Sequence, residues 1–139
     1  MEVFMASVAI RLFMGLSLVV GGVAATAPAV AASTPPTSLT EIELTVTPQK
    51  GGKPRTATLT CEPAGGTHAN AEVACAELAM VNGRIKDVPW RKGRLCLQYW
   101  EPVDATATGY WRGRPIEPYF GTVTNDGCAR ILHGHVLDF

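Results

Sequence analysis

One segment stands out by residue type and spacing. Leu95-Cys96-Leu97-Gln98-Tyr99-Trp100-Glu101-Pro102-Val103 carries a cysteine at its second position, is bulky on both faces and is broken by Pro102. The plain alternative is a buried strand, but bulk on both faces and a proline in the ladder oppose a purely internal one. An extended apolar segment pinned covalently near one end is what β-type recognition by another protein requires. Hydrolase chemistry has little to work with. Serine occurs only at Ser7, Ser17, Ser33 and Ser38, ahead of any folded domain. If Cys61, Cys75, Cys96 and Cys128 are bridged, no thiolate is available either.

Other constellations read as structural. Glu101 and Asp104 read as solvated charges around a turn, not as a catalytic carboxylate pair. His133-Gly134-His135 puts two imidazoles on one side of a strand, but a third metal ligand is missing. His68 follows Gly65-Gly66-Thr67 and reads as a loop residue satisfying backbone groups. No Gly-rich loop follows a strand and opens a helix, so phosphate binding has no support. Trp90-Arg91-Lys92-Gly93-Arg94 reads as a solvated basic loop, with steering of an acidic partner as the alternative. No cofactor and no metal are expected, and the chain is not expected to be an enzyme.

Those residues must be carried by a small domain. Glu41 to Thr47 alternates with Ile42, Leu44 and Val46 on one face, predicting a half-buried strand. Pro48 to Gly52 is a turn, and Arg55 to Cys61 alternates again, so the two runs predict a hairpin. Ala71 to Val81 predicts a helix capped by Asn70 and ended by Asn82-Gly83, with Ala71, Ala74, Cys75, Leu78 and Val81 on its inner face. Arg94 to Val103 is a third extended run. Tyr110-Trp111 and Arg114 to Val123 predict a second hairpin around Arg112-Gly113, interrupted by Pro115 and Pro118. Cys128 to His133 is a short helix, and Val136 to Phe139 closes the sheet. The fold class is α+β, an antiparallel sheet with one main helix.

The chain has 139 residues, 12 basic and 12 acidic, so the formal net charge is zero. No basic excess marks a nucleic-acid binder. Met1 to Ala32 is far more apolar than the rest and ends in the small residues Ala29-Val30-Ala31, which predicts a cleaved secretory signal over residues 1–32. Its apolar run is broken by Gly15, Ser17, Gly21 and Gly22 and is short for a membrane span, so no membrane association is expected after its removal. Residues 33–38 are Pro-, Ser- and Thr-rich and predict a flexible arm. The domain is expected over 39–139, in a secreted and extracellular protein. Four cysteines in an oxidising compartment imply two disulfides and allow three connectivities. Sequential pairing would close loops of about 15 and about 33 residues, contributing roughly 3 and 4 kcal/mol. A zinc site is disfavoured by the absence of a C-x-x-C pair.

Leu59-Thr60-Cys61, Gly66-Thr67-His68, Ala74-Cys75-Ala76-Glu77-Leu78-Ala79, Cys96 through Val103, Gly109-Tyr110-Trp111-Arg112-Gly113, and Cys128 with His133-Gly134 resemble the Streptomyces subtilisin inhibitor family of secreted serine protease inhibitors. The resemblance spans the exported domain. It implies bridges Cys61–Cys75 and Cys96–Cys128, a sheet of about five antiparallel strands with two helices, and a homodimer formed through the sheets. It places Gln98 at the primary-specificity position and Gln98–Tyr99 as the reactive bond. Leu95, Cys96 and Leu97 then lie on the acyl side, and Trp100, Glu101 and Pro102 follow Tyr99 in the protease-contact loop. Gln98 stands where members usually carry Met or Lys. It lacks the charge a trypsin-like pocket needs, so the implied partner is a subtilisin-like protease. Two other functions compete: a transglutaminase substrate, with Gln98 as acceptor and Lys50 and Lys53 as donors, and a non-inhibitory binding protein on the same scaffold.

Overall fold

The structure, a computed structural model, describes residues 38–139. The signal expected at 1–32 and most of the arm lie outside the described residues. Ser38, assigned to the arm, belongs to the fold: it is buried, and its hydroxyl lies 2.7 Å from Cys61 O and 2.8 Å from Thr40 O.

Period-two alternation forms the sheet. Strand β1 (Thr40–Pro48) turns Ile42, Leu44 and Val46 inward and pairs antiparallel with β2 (Arg55–Cys61), Ile42 opposite Leu59 and Leu44 opposite Ala57. A two-residue β3 (Gly65–Gly66) flanks β2. On its other side β1 pairs with β4 (Val103–Trp111), Leu44 opposite Ala107 and Val46 opposite Ala105. Both β5 (Arg114–Pro115) and β6 (Tyr119–Val123) pair with β4. They form one edge interrupted by Ile116 to Pro118, because the prolines cannot donate to the ladder. The path β3-β2-β1-β4-β5 is antiparallel throughout, with β1 at its centre.

Strand β4 lies later than expected. Residues 94–102 are not in the sheet, and the strand begins at Val103. Its buried face is Val103, Ala105, Ala107 and Trp111, and the two alanines in its middle give a weak β signal. Val136 to Phe139 does not extend the sheet either. It forms tight turns, with Val136 N donating to His133 O and Asp138 N to His135 O, while Val136 and Leu137 fill the core.

The inner face of the sheet is covered by α1 (Ala71–Met80) and α2 (Asp126–Leu132). Ala74 and Leu78 are fully buried, with Ala71, Cys75 and Val81 packed beside them as the helical spacing predicts. Asn70 does not cap α1 with its side chain; its amide donates to Asp138 O at 2.7 Å and ties the helix start to the C-terminus. The end is as expected. Gly83 N donates to Leu78 O at 2.9 Å, with Asn82 and Gly83 both at positive φ. The bridges are Cys61–Cys75, with Cα atoms 5.7 Å apart, and Cys96–Cys128, at 4.8 Å. Among the described residues no helix is long and apolar enough to cross a membrane.

Two predictions concern stability. Gly83 sits at φ +76°, and a Cβ there would run into the Trp111 ring; Gly93 sits at φ +75° in open space. In urea denaturation G93A is expected to lose about 1 kcal/mol for the left-handed backbone. G83A is expected to lose at least about 2 kcal/mol more from the clash. Equal losses would contradict the packing. The second prediction is acid sensitivity. Burial lowers the pKa of His68, against the opposing hydrogen bond to Val136 O, and burial also lowers that of His133, below the ordinary 6.5. Burial raises the pKa of Asp126 and Asp138, but hydrogen bonds and charge from Arg55 and Arg130, and from Arg130 and Arg91, outweigh it and hold both below 3.8. All four folded-state values lie under the unfolded ones, so each contribution is fully present above the unfolded value and is lost as pH falls from there through the folded one. Urea midpoints should therefore be flat from pH 8 to 7, decline as pH drops below about 6.5, and decline again below about 4. A midpoint that rises from pH 7 to 5 would contradict this.

Candidate functional site

Residues 94–102 form an extended, exposed segment rising between the 3₁₀ turn Ile85–Asp87 and strand β4. Leu95 is 89% exposed, Leu97 70% and Trp100 66%, and Gln98, Tyr99 and Glu101 are also open to solvent. This overturns the buried-strand alternative. A run of large apolar side chains kept in water beside a full core marks a binding surface. Cys96 and Pro102 are the less exposed ends of the run, and Val103 is already core.

What holds this segment in shape is Asn125. Its side chain is buried, at 1% exposure. Asn125 Nδ2 donates to Leu97 O at 2.7 Å and to Tyr99 O at 3.1 Å, gripping the backbone on both sides of Gln98. Its Oδ1 accepts from Cys128 N at 2.9 Å, which makes it the N-cap of α2. One amide thus joins helix start and loop, with both donors and the carbonyl used. The Cys96–Cys128 bridge ties the same helix to the same loop two residues earlier. Glu101 N donates to Thr124 O at 3.0 Å, and Gln49 N to Pro102 O at 2.9 Å. Gln98 itself points no group inward; its amide lies 3.3 Å from Cys96 O.

Helix α2 is in turn anchored. Cys128 and Ala129 are core residues. Asp126 accepts from Arg55 at 2.6 Å and from Arg130 at 2.9 Å, and Asp138 accepts from Arg91 at 2.7 Å and Arg130 at 3.1 Å. Arg91, expected in a solvated basic loop, is therefore committed to this network. Arg55 also stacks 4.7 Å over the Phe139 ring.

The remaining candidates are structural. His133 contacts Val88 O and Tyr119 OH, His135 Nδ1 lies 2.7 Å from Glu77, and His68 is buried between Asn70 N and Val136 O. Among the described residues no three His, Cys, Asp or Glu side chains are grouped to hold a metal. Asp104 accepts from Thr122 at 2.6 Å and Gln49 at 2.8 Å, which lowers its pKa, and it forms no pair with Glu101. Asn125 was not among the sequence candidates. Its visible signal is an Asn-Asp-Gly ahead of a short apolar run, a helix start.

A pinned apolar loop on a small bridged sheet domain defines a class of protein: scaffolds that present a fixed extended segment to a partner. The subtilisin inhibitor-like family profile matches residues 36–125. Subtilisin inhibitor-like protein 5 of Streptomyces fradiae is 38% identical over 103 residues, covering 69% of this chain and 95% of that protein. Protease inhibitor SIL-V5 of Streptomyces luteoverticillatus is 43% identical over 90 residues, covering 63% and 82%. Sermetstatin of Streptomyces caespitosus, solved in complex with Bacillus licheniformis subtilisin, superposes with a TM-score of 0.56 at 27% identity, covering 71% of this chain and 97% of that one. The chain belongs to the subtilisin inhibitor-like family.

The double role of Asn125 can be separated. N125D keeps the capping oxygen and loses both donors, whereas N125A loses cap and donors together. N125A is expected to cost about 1–3 kcal/mol of stability, and N125D no less, because its second carboxylate oxygen would face the Leu97 and Tyr99 carbonyls. Both should loosen the loop, read as accelerated amide exchange at Tyr99 and Trp100. Exchange unchanged in N125D would show that the loop does not depend on this side chain.

Proposed function

We propose that this chain is a secreted inhibitor of subtilisin-like serine endopeptidases that occupies the protease active site with residues 95–102, the reactive bond being Gln98–Tyr99. It is a protease inhibitor and not an enzyme. The observation that carries the assignment of the bond is the Asn125 amide bonded to carbonyls on both sides of Gln98.

The mechanism follows from that restraint. A free peptide loses conformational entropy when a protease extends it; residues 96–102 are already held by a bridge, an amide and two backbone hydrogen bonds, so much of that loss was incurred on folding. Leu95 and Leu97 project to the acyl side, and burying each in an apolar pocket is worth about 1.5–3 kcal/mol. Gln98 needs only a tolerant primary pocket. If the bond is cut, both new ends remain tethered to α2. The amine of Tyr99 then stays beside the acyl-enzyme at high effective concentration, and resealing competes with hydrolysis.

Residues 1–32 serve as a cleaved export signal, in keeping with two bridges in so small a domain. The homodimer forms through the outer face of the sheet. Support for this comes from Tyr110 and Phe120, exposed opposite Glu41 and Thr106 on the sheet face away from the described helices.

Titration of subtilisin with the purified protein is expected to give a linear loss of activity to a 1:1 end point. Q98P should abolish it, because proline fixes the backbone at the contact. Prolonged incubation should yield one cut, with Tyr99 as the new N-terminus. No inhibition, or inhibition unchanged in Q98P, would sink the assignment.

A further inference from the structure

The acyl side of the loop is held by the Cys96–Cys128 bridge and Asn125. The leaving side has a support of its own, from the turn that follows β1 at the same end of the sheet, where Pro48 pairs with Val103. The β1–β2 turn, Pro48 to Gly52, folds back against the loop; Gly51 at φ +88° and Gly52 at φ +125° permit the tight reversal. Lys50 Nζ donates to Trp100 O at 2.8 Å. Gln49 N donates to Pro102 O at 2.9 Å, and Gln49 Nε2 to Asp104 at 2.8 Å. A cleft of about 240 Å³ lies between turn and loop, lined by Pro48, Lys50, Tyr99, Glu101, Pro102 and Asp126. Among the described residues Lys50 makes no ion pair within 4 Å, so its directed contact is this one carbonyl. A charged donor on a carbonyl is stronger than a neutral one.

We propose that the β1–β2 turn is a second clamp and that Lys50 is a positioning residue for resealing of the Gln98–Tyr99 bond. This rests on the function proposed above. Cleavage by a serine protease makes an ester between the protease serine oxygen and the Gln98 carbonyl carbon, and frees the Tyr99 amine. Resealing is attack of that amine on the ester carbon. The carbon–nitrogen bond forms, the carbon–oxygen bond breaks, and the amine proton passes through the protease base to the serine oxygen. The more freedom the cleaved strand has, the less often the amine is aimed at the ester and the further the equilibrium lies toward the cleaved form. Asn125 holds the carbonyl of Tyr99 and Lys50 holds that of Trp100, so two consecutive peptide units of the departing strand are fixed. Without Lys50 the Trp100 peptide pivots between Asn125 and the Glu101–Thr124 contact, and the amine swings away from the ester.

The test compares K50M, which keeps the chain length and loses the donor, with K50R, which restores one. Each is incubated with catalytic subtilisin at neutral pH until the ratio of cleaved to intact inhibitor is constant, approached from both sides. K50M is expected to raise that ratio about three- to tenfold, the range for losing an exposed charged hydrogen bond. K50R should restore it to within about twofold. The thermal midpoint of K50M should fall by no more than about 4–8 °C, as for one exposed hydrogen bond, and that of K50R by less. An unchanged ratio in K50M, or a K50R variant as cleaved as K50M, overturns the assignment. If the wild type neither inhibits subtilisin nor is cut before Tyr99, the proposed function fails first and takes this inference with it.

Discussion

The structure turns on one side-chain amide. Asn125 is buried, caps a helix with its oxygen and holds two loop carbonyls with its nitrogen. A loop of exposed Leu, Tyr and Trp would otherwise collapse onto the nearest apolar surface, because burial favours it by about 25 cal/mol per Å². Keeping such a loop extended in water requires directional bonds from a rigid base. An amide provides them in a fixed plane, and its helix cap keeps that plane fixed.

The rest of the domain makes the base rigid. Helix α2 has only seven residues, too short to be stable alone. Its core residues, the Cys128 bridge, and the Asp126 and Asp138 carboxylates shared by Arg55, Arg91 and Arg130 compensate for that length. Arg55 starts β2 and Arg91 precedes the loop, so the network ties helix, sheet and loop approach to the C-terminus. Half-buried pairs of this kind give modest stability each; their value here is in fixing position.

Strands β1 and β2 and helix α1 were legible because apolar residues recur at the period of each element with no louder run beside them. Strand β4 was not, because the middle of its inner face is alanine and its neighbour Leu95 to Trp100 has a louder apolar signal. That signal belongs to binding, and the sheet proper starts where it ends. The loop itself was legible in kind, through Pro102 and the cysteine beside it, and in detail through the family resemblance. Asn125 was not, since its bonds reach residues 26 and 28 positions away and no local pattern encodes them. The same holds for Lys50, whose partner is 50 residues on.

A protease meets in this loop a segment whose shape is determined before encounter and survives cleavage. The most direct measurement of that claim is the crystal structure of the complex with subtilisin. The expected result has the Gln98 carbonyl carbon at the catalytic serine, with Asn125 Nδ2 still within hydrogen-bond distance of Leu97 O and Tyr99 O. A different segment in the active site, or residues 95–102 bound with both Asn125 contacts broken, would contradict it.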